Sequence, residues 1–263
     1  MKYKLVAADM DGTLLNSRGE ITPATVEAIR ALADKDVVFT VSTGRPMQGV
    51  AKYKELLGLT GPVITYNGAM IVDAKDNKVL FEQGLLRADA RKIWELGLKY
   101  DTTMCIWAGN QLYGNRLDDR IYDYKKLSGV EPILAEDVEM LLDIGITKFL
   151  WYDEAERIEE ILALLSPDLF LEVSYCTSKP TFLEFFSKKV SKAVAMEKIG
   201  ELLGILREEM VAIGDGLNDL SMIQYAGLGV AMGNAAKEVK DNAQFITDTN
   251  DEEGVRKVLE KYL

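Results

Sequence analysis

Short apolar runs alternate along the chain with longer amphipathic segments. Three of these runs, 5–8, 37–41 and 210–213, are four or five residues long and almost entirely apolar. Such a run is typical of a parallel strand that is buried on both faces. Segments with helical spacing separate the runs, so the sequence predicts an α/β fold built on a parallel sheet.

The same pattern predicts the remaining elements and their grouping. Between 84 and 186 short strands predominate, whereas strands and helices alternate regularly on either side. We therefore predict an α+β domain over 84–186, inserted into a discontinuous core domain formed by 1–83 and 187–263. Helices are predicted near 22–35, 46–57, 87–100, 117–127, 154–165, 191–203 and 251–262, and further strands near 62–66, 69–73, 78–82, 103–115, 146–152, 169–174, 181–186 and 229–231.

Composition and charge narrow the class of partner. The 263 residues carry a net charge of −11, with 48% hydrophobic and 28% charged residues, as is usual for a soluble globular protein. Nucleic acids and anionic membranes bind basic surfaces, so we expect neither as a partner. No apolar run approaches the roughly 20 residues that span a bilayer, and no signal segment is evident, so we expect a cytoplasmic protein. No protein partner follows from the sequence.

The chain contains no histidine. Mechanisms in which histidine is the base, the nucleophile or a metal ligand are therefore excluded. Acid–base chemistry must fall to Asp, Glu, Lys, Tyr or Cys. The two cysteines, Cys105 and Cys176, are too few for a disulfide framework and lack the spacing of a CxxC metal site.

Polar, glycine-bearing loops follow the three apolar strands. Asp9 and Asp11 follow the first strand, Thr43 and Gly44 the second, and the loop 215–219 the third. The carboxyl ends of parallel strands share one edge of a sheet, so these loops are expected to meet there. Carboxylates, a hydroxyl and exposed backbone N–H groups favour a magnesium and phosphate site. A lysine should also reach such a site.

The best-placed lysine is Lys192, at the start of the helix that follows the predicted insertion. Taken singly, each of these motifs also has a purely structural explanation. An Asp-Gly pair is commonly a turn, Thr43 can be a strand-end hydroxyl, and Lys192 can be a solvated lysine beside Lys188 and Lys189. The ordered set is much less readily explained in that way.

Five motifs in order make the chain resemble a known enzyme family. They are DMDGT at 9–13, STGRP at 42–46, TYNGA at 65–69, VSK at 190–192 and GDGLND at 214–219. The chain resembles the haloacid dehalogenase (HAD) superfamily, and specifically its Cof-type (subfamily IIB) sugar-phosphate phosphatases. The resemblance implies a Rossmann-like core with a parallel sheet and an inserted α+β cap of the C2 type, which reads the substrate.

The resemblance also implies residue roles. Asp9 would be the nucleophile that forms an aspartyl-phosphate, and Asp11 would be the general acid and then the general base. Mg²⁺ would bind the Asp9 carboxylate, the Asp11 backbone carbonyl and Asp215. Phosphate would be held by the Met10 backbone, Thr43, Gly44, Lys192 and Asn218, while Asp219 would orient Lys192 or a metal-bound water. Arg45, Asn67, Gly68, Arg116 and Lys179 are candidate substrate contacts, although surface charge explains Arg116 and Lys179 better.

The function expected from the sequence is thus a Mg²⁺-dependent phosphomonoesterase. Its partner would be a small phosphorylated metabolite, above all a sugar phosphate. Two alternatives stay open: a sugar phosphomutase of the same superfamily, which shares the Asp-x-Asp pair, and a catalytically silent phosphate-binding module. A dehalogenase is disfavoured, because displacement of a halide needs no acid at Asp11.

Overall fold

A computed structural model describes residues 2–166 and 169–263. The chain divides into two compact units. The first unit combines Met1–Phe81 with Ser191–Leu263, and the second is the inserted segment Glu82–Val190. Within the described ranges, no helix is both long and apolar enough to cross a membrane.

The first unit is built on a five-stranded parallel sheet, whose order is β14-β13-β12-β1-β2. Its strands are β1 (Leu5–Ala8), β2 (Val38–Val41), β12 (Met210–Gly214), β13 (Leu228–Ala231) and β14 (Phe245–Ile246). A smaller sheet contains β3 (Pro62–Thr65), β4 (Met70–Asp73) and β5 (Val79–Glu82), with β3 and β4 antiparallel. A parallel bridge between Ser42 and Ile64 places β3 beside the end of β2. The predicted parallel α/β core is therefore confirmed.

Helices of the first unit start and stop at recognisable signals. The helices are α1 (Pro23–Arg30), α2 (Ala51–Leu57), α7 (Lys192–Leu203), α8 (Leu220–Tyr225), α9 (Lys237–Asp241) and α10 (Gly254–Tyr262). Thr22 caps α1 by accepting a hydrogen bond from the Thr25 N–H, and Gly58 ends α2 in a left-handed conformation.

Three predicted helices of this unit are shorter than expected. The helix predicted over 22–35 ends at Arg30 and is followed by a separate 3₁₀ turn, because the chain reverses at Asp36 to enter β2. The helix predicted from Pro46 begins only at Ala51, after a 3₁₀ turn. The last helix likewise begins at Gly254, after a 3₁₀ turn over Asn250–Glu252.

Both faces of the parallel sheet are buried, and one core cluster of the first unit lies on one of them. Alternate residues of β1 and β12 share that face, since side chains of a strand point to opposite sides in turn. They pack against buried residues of α7 and α8. The core cluster consists of Leu5, Ala7, Ile64, Ile71, Ala195, Met196, Ile199, Met210, Ala212, Met222 and Ala226.

The second unit is an α+β domain with one six-stranded sheet in the order β10-β11-β9-β6-β7-β8. Its strands are β6 (Thr103–Ala108), β7 (Gln111–Gly114), β8 (Ile133–Leu134), β9 (Ile146–Tyr152), β10 (Val173–Lys179) and β11 (Phe182–Ser187). Its helices are α3 (Arg87–Lys99), α4 (Asp119–Ser128), α5 (Val138–Ile144) and α6 (Ala155–Leu164). One face of the sheet packs on α3, α5 and α6 around Phe149, Trp151 and Phe185.

Sequence reasoning missed two elements of this unit and misplaced one. The short strand β8 and the helix α5 were not predicted, because two and seven residues respectively are too few to show a clear period. The strand predicted at 169–174 is instead β10 at Val173–Lys179, and residues 167–168, just before its predicted start, lie outside the described residues. The unit begins at Glu82 and ends at Val190, whereas the insertion was predicted over 84–186.

Close packing of β13 against α8 yields a stability prediction. A Cβ added at Gly229 would lie 2.7 Å from the carbonyl carbon of Ile223, a backbone atom that cannot easily move. Gly229→Ala should therefore lower the free energy of unfolding by roughly 1–3 kcal/mol, as overpacking commonly does. Urea denaturation of the two proteins measures the change.

Gly61→Ala is the matched control for this substitution. A Cβ there would meet only Val38 Cγ1 at 3.7 Å, an ordinary contact, and neither glycine has a positive φ. The control should change the unfolding midpoint little. Equal midpoints for the two variants would contradict the packing argument.

Candidate active site

The predicted site residues of the first unit lie where three adjacent strands end. In the sheet, β1 is flanked by β12 and β2, so the loops that follow these strands are neighbours. The Asp9 N–H donates to the Ile213 carbonyl at 2.9 Å, and the Ser42 N–H donates to the Ala8 carbonyl at 2.9 Å. These bonds continue the strand ladders to the edge of the sheet. The first residues beyond the strands are therefore hydrogen-bonded to the neighbouring strands in the same way as the strands themselves.

Lys192 lies at the centre of this edge, and its side chain is fully buried. Its Nζ donates to Asp9 Oδ1 at 2.5 Å, to Asp219 Oδ1 at 2.5 Å and to the Ser42 carbonyl at 2.8 Å. It starts α7, where Ser191 is the N-cap and accepts a hydrogen bond from the Val194 N–H. A solvated surface lysine is thereby ruled out. Lys192 instead joins the ends of β1, β2 and β12.

The charges of this cluster are strongly coupled. Burial raises the pKa of Asp9 to about 7; Lys192 opposes this rise, while Asp219 and Asp215 add to it. For Lys192, burial alone would lower the pKa, but the attraction of Asp9 and Asp219 outweighs burial and raises it. Lys192 therefore stays cationic. Asp9 keeps its proton to a higher pH than an ordinary aspartate, because its negative charge is not fully compensated by its surroundings.

Asp219 connects Lys192 to the loop that follows β12. Its Oδ1 accepts from Lys192, and its Oδ2 accepts from the backbone N–H groups of Asp215 and Gly216 at 3.0 and 2.9 Å. Both oxygens therefore point at fixed donors. Asp219 is a buried residue that positions the lysine and the loop after β12.

Asp215 lies on the same loop and is half-buried. Its Oδ1 accepts a hydrogen bond from Thr13 Oγ1 at 2.7 Å. Burial raises the pKa of Asp215, partly offset by the Thr13 hydroxyl. Gly12 has a φ of 84°, and a Cβ there would lie 2.8 Å from Asp215 Cγ. Only glycine therefore lets the turn after β1 approach this carboxylate so closely.

The residues present fit a hard divalent cation. Oxygens of Asp9, Asp215 and Asp219 all lie within 4.8 Å of one another. Because Asp219 already binds Lys192 and two backbone N–H groups, Asp9 and Asp215 are the carboxylates best suited to be ligands. Three acidic groups face one lysine here, so a bound cation would offset the remaining repulsion. An all-oxygen donor set suits hard cations such as Mg²⁺, Ca²⁺ and Mn²⁺.

Asp11 differs sharply from Asp9 in its surroundings. Its side chain is 59% exposed, and Arg45 binds both of its oxygens. Arg45 Nε donates to Oδ2 at 2.9 Å, and Arg45 Nη2 donates to Oδ1 at 2.5 Å. Partial burial would lower the pKa of Arg45, but Asp11 outweighs it and raises the pKa. The two acids of the Asp-x-Asp motif thus have separate cationic partners.

A strained turn brings Asn67 to the loop after β2. Tyr66 and Asn67 both have a positive φ, 52° and 57°, which is rare for a residue as bulky as tyrosine. The Asn67 N–H donates to the Thr43 carbonyl, and Asn67 Oδ1 accepts from Asn218 Nδ2 at 3.0 Å. A Cβ at Gly44 would lie only 3.1 Å from the Asn67 amide. Four predicted residues, Thr43, Gly44, Asn67 and Asn218, therefore share this part of the site.

Gly68 is predicted as a substrate contact, and in the structure its backbone packs closely against a neighbouring segment. Its φ is 101°, and a Cβ would lie 2.6 Å from the carbonyl carbon of Ser191. Gly68 therefore lets the strained turn pack against the start of α7. The Met10 side chain is apolar and fully buried, so only its backbone offers polar groups to this edge.

Two further candidate contacts, Arg116 and Lys179, belong to the second unit. Arg116 Nη2 donates to Asp101 Oδ1 at 2.6 Å, and Lys179 is exposed and lies over the Phe182 ring. Both have the environment of surface charges within that unit. Nothing in these contacts favours a substrate role for either.

Sequence reasoning assigned no role to Thr13, Ser42 or Asn234. Thr13 orients Asp215, and the Ser42 carbonyl accepts from Lys192. Asn234 Nδ2 donates to the Gly12 carbonyl at 2.8 Å and so supports the turn after β1. Thr13 and Ser42 lie inside quoted motifs, and Asn234 follows a glycine just after β13. The only signal in the sequence that could have identified these three residues was therefore their position shortly after a core strand.

Chemically, the edge of the sheet places a buried, oriented carboxylate beside oxygens that suit a cation. Asp9 is buried, oriented by Lys192 and close to the carboxylate of Asp215. Such an arrangement can hold a dianionic group against a carboxylate by neutralising its charge, which is the main requirement of phosphoryl transfer.

Comparison with known proteins agrees with this chemistry. The sequence matches the model of the haloacid dehalogenase-like hydrolase family over residues 6–259. It is 36% identical over 261 residues to the 5-amino-6-(5-phospho-D-ribitylamino)uracil phosphatase YcsE of Bacillus subtilis, covering 99% of this chain and 96% of that protein. YitU, a phosphatase of the same name from that organism, is 30% identical over 266 residues, covering 99% and 98%. The crystal structure of TM0651 from Thermotoga maritima superposes with a TM-score of 0.90 and 31% identity, over 99% of this chain and 98% of that one.

The likeness extends over nearly the whole chain, including both segments of the first unit and the inserted second unit. It confirms the predicted family and the fold class, a parallel α/β core with an inserted α+β domain. The chain belongs to the haloacid dehalogenase-like hydrolases and is a phosphatase of the Cof type.

Proposed function

We propose that this protein is a Mg²⁺-dependent phosphomonoesterase that works through an aspartyl-phosphate at Asp9. The observation that carries the proposal is the wholly buried Lys192, held between Asp9 and Asp219. A buried ammonium is costly unless it is paired, so its placement beside a carboxylate at a strand end favours a functional role. Phosphoryl transfer makes direct use of such a positive charge.

Two steps account for turnover. In the first, an Asp9 oxygen attacks phosphorus, the bond to the leaving-group oxygen breaks, and Asp11 gives that oxygen a proton. In the second, Asp11 takes a proton from a water that attacks the same phosphorus, which frees phosphate and restores Asp9. Lys192 balances the charge that builds on the phosphoryl oxygens.

The other residues of the edge would hold the phosphoryl group. Thr43, Asn218 and the backbone near Gly44 and Met10 are the proposed donors, and Asn67 supports them through its bond to Asn218. Asp9, Asp215 and the Asp11 carbonyl would bind Mg²⁺, which when bound would neutralise phosphoryl charge. Asp219 would keep Lys192 in place.

The proposed substrate class is a small phosphorylated metabolite, most of all a sugar phosphate. Support comes from YcsE and YitU, whose names specify a phosphoribityl group, a phosphorylated sugar alcohol. We further propose that the inserted unit Glu82–Val190 is a cap that sets substrate specificity. A cytoplasmic location and the lack of nucleic-acid or membrane partners stay predictions from the sequence.

Phosphate release tests the proposed function. A panel of hexose, pentose and pentitol phosphates, together with p-nitrophenyl phosphate, should include substrates that release phosphate when Mg²⁺ is present. Asp9→Asn should reduce this release by at least about 10³-fold, because the nucleophile is lost. Lys189→Ala, which removes a lysine exposed on the surface, is a matched control and should stay active.

Two outcomes would replace the proposal by its alternatives. Return of labelled phosphate into an isomeric product would indicate a phosphomutase. Phosphate binding without turnover of any panel member, unchanged in Asp9→Asn, would indicate a silent binding module.

Metal binding can be tested without turnover. Mg²⁺ added to chelator-treated protein should raise the thermal midpoint, because a ligand that binds only the folded state stabilises it. Asp215→Asn should reduce this shift strongly, since one carboxylate ligand is lost. Asp241→Asn, an exposed carboxylate paired with Lys237, should leave the shift unchanged. A full shift in Asp215→Asn would exclude Asp215 as a ligand.

The raised pKa of Asp9 predicts a pH dependence of stability in the metal-free protein. The folded-state pKa of about 7 is well above the value of 3.8 for an ordinary aspartate, so the folded state keeps the proton to a higher pH than the unfolded state does. Between pH 5 and 7 the free energy of unfolding of the wild type should therefore fall by roughly 2–3 kcal/mol relative to Asp9→Asn. Urea titrations with chelator measure this difference, and parallel pH curves would contradict it.

A further inference from the structure

Arg45 donates a hydrogen bond to each oxygen of the Asp11 carboxylate. The two hydrogen bonds, at 2.9 Å from Nε and 2.5 Å from Nη2, form the parallel fork that arginine makes with a carboxylate. Such a pair fixes the direction of the carboxylate plane as well as its position. Arg45 follows Thr43 and Gly44 on the loop after β2, so it belongs to the same edge of the sheet.

Arg45 is itself anchored by groups other than Asp11. Its Nη1 donates to the Gly49 carbonyl at 3.4 Å, and its guanidinium lies 5.9 Å from the centre of the buried Tyr53 ring. Its backbone N–H donates to Thr43 Oγ1 at 3.2 Å. A Cβ on Gly49 would lie 3.3 Å from Arg45 Cβ, so the glycine leaves room for the side chain to run back along the chain. The arginine is thus a fixed support for the carboxylate.

The Asp11 carboxylate needs a hydrogen-bonding partner to fix its orientation more than the buried Asp9 carboxylate does. Its side chain is 59% exposed, so packing alone does not hold it in one rotamer. Each carboxylate oxygen has two lone-pair directions, and the Arg45 fork uses one of them on each oxygen. A second direction on each oxygen can still carry a proton or accept one. The fork therefore orients the acid–base group without occupying it.

We propose that Arg45 is a positioning residue that aims the Asp11 carboxyl for proton transfer. The proposal rests on the phosphatase mechanism above and differs from the substrate contact expected from the sequence. Proton transfer by a well-placed side chain is worth roughly 10²- to 10⁴-fold in rate, and part of that factor depends on orientation. An arginine that instead bound the phosphoryl group would affect all phosphate esters alike.

Substrates with different leaving groups separate these two roles. The ratio kcat/KM reports the steps through the first phosphoryl transfer, in which Asp11 acts as an acid. An alkyl phosphate such as glycerol 3-phosphate, or the best sugar phosphate of the panel, needs that proton, whereas p-nitrophenolate leaves largely without it. Arg45→Ala should therefore lower kcat/KM roughly 10- to 100-fold on the alkyl ester and much less on p-nitrophenyl phosphate.

Two further variants test whether Arg45 acts through Asp11. In an Asp11→Asn background, adding Arg45→Ala should change kcat/KM less than about twofold, because the group to be aimed is already lost. Arg45→Lys keeps the positive charge but cannot form the two-pronged hydrogen bond. Its kcat/KM on the alkyl ester should therefore stay nearly as low as that of Arg45→Ala. Lys52→Ala is the matched control, because it removes another cation that lies over the Tyr53 ring. It should leave kcat/KM unchanged on both substrates.

The outcomes are distinct from those that test the phosphatase itself. Equal losses of kcat/KM on both esters, or a full loss in the Asp11→Asn background, would overturn the role of Arg45 while leaving the phosphatase intact. Full rescue by Arg45→Lys would reduce the role to charge alone and would also overturn it. No turnover by the wild type, or full activity of Asp9→Asn, would instead contradict the proposed phosphatase function itself. Thermal midpoints close to that of the wild type would exclude misfolding as the cause of any loss of kcat/KM in a variant.

Discussion

The buried ammonium of Lys192 is the constraint on which the rest of the active-site edge depends. An ammonium that is fully withdrawn from water needs carboxylates within hydrogen-bond distance, and Asp9 and Asp219 supply them. These partners lie 183 and 27 positions away along the chain, directly after β1 and in the loop that follows β12. Removing one partner of such a pair typically costs about 3–5 kcal/mol, so the fold and the site stabilise each other.

Close backbone approach is the second constraint, and glycines satisfy it. Gly12 lets the turn after β1 meet Asp215, and Gly68 lets the strained turn at Tyr66 and Asn67 meet Ser191. Positive φ at two successive non-glycine residues costs on the order of 1–3 kcal/mol each and persists only where neighbours impose it. Hydrogen bonds from this turn to the loop after β2 provide that restraint. The strain thus lies where the phosphate-binding groups of the proposed mechanism converge.

Much of this arrangement could be predicted from the sequence because its signals are local. Apolar runs identified the three central strands, and polar residues just beyond their ends identified the edge where Asp9, Lys192 and Asp219 meet. The same reasoning failed where elements were too short to show a period, as at β8 and α5. It also could not give the direction of a side chain, so it did not predict that Arg45 pairs with Asp11.

The pairing of Asp11 with Arg45 shows why side-chain direction matters most for function. Two carboxylates only two residues apart would repel each other in one environment, yet here one is buried against Lys192 and the other faces solvent beside Arg45. A nucleophile benefits from a dry, oriented setting, because its charge is then not shielded by water. An acid–base group must regain or lose a proton in every cycle, which contact with solvent makes easy. The burial of Asp9 and the exposure of Asp11 therefore suit the different roles that the proposed two-step mechanism gives them.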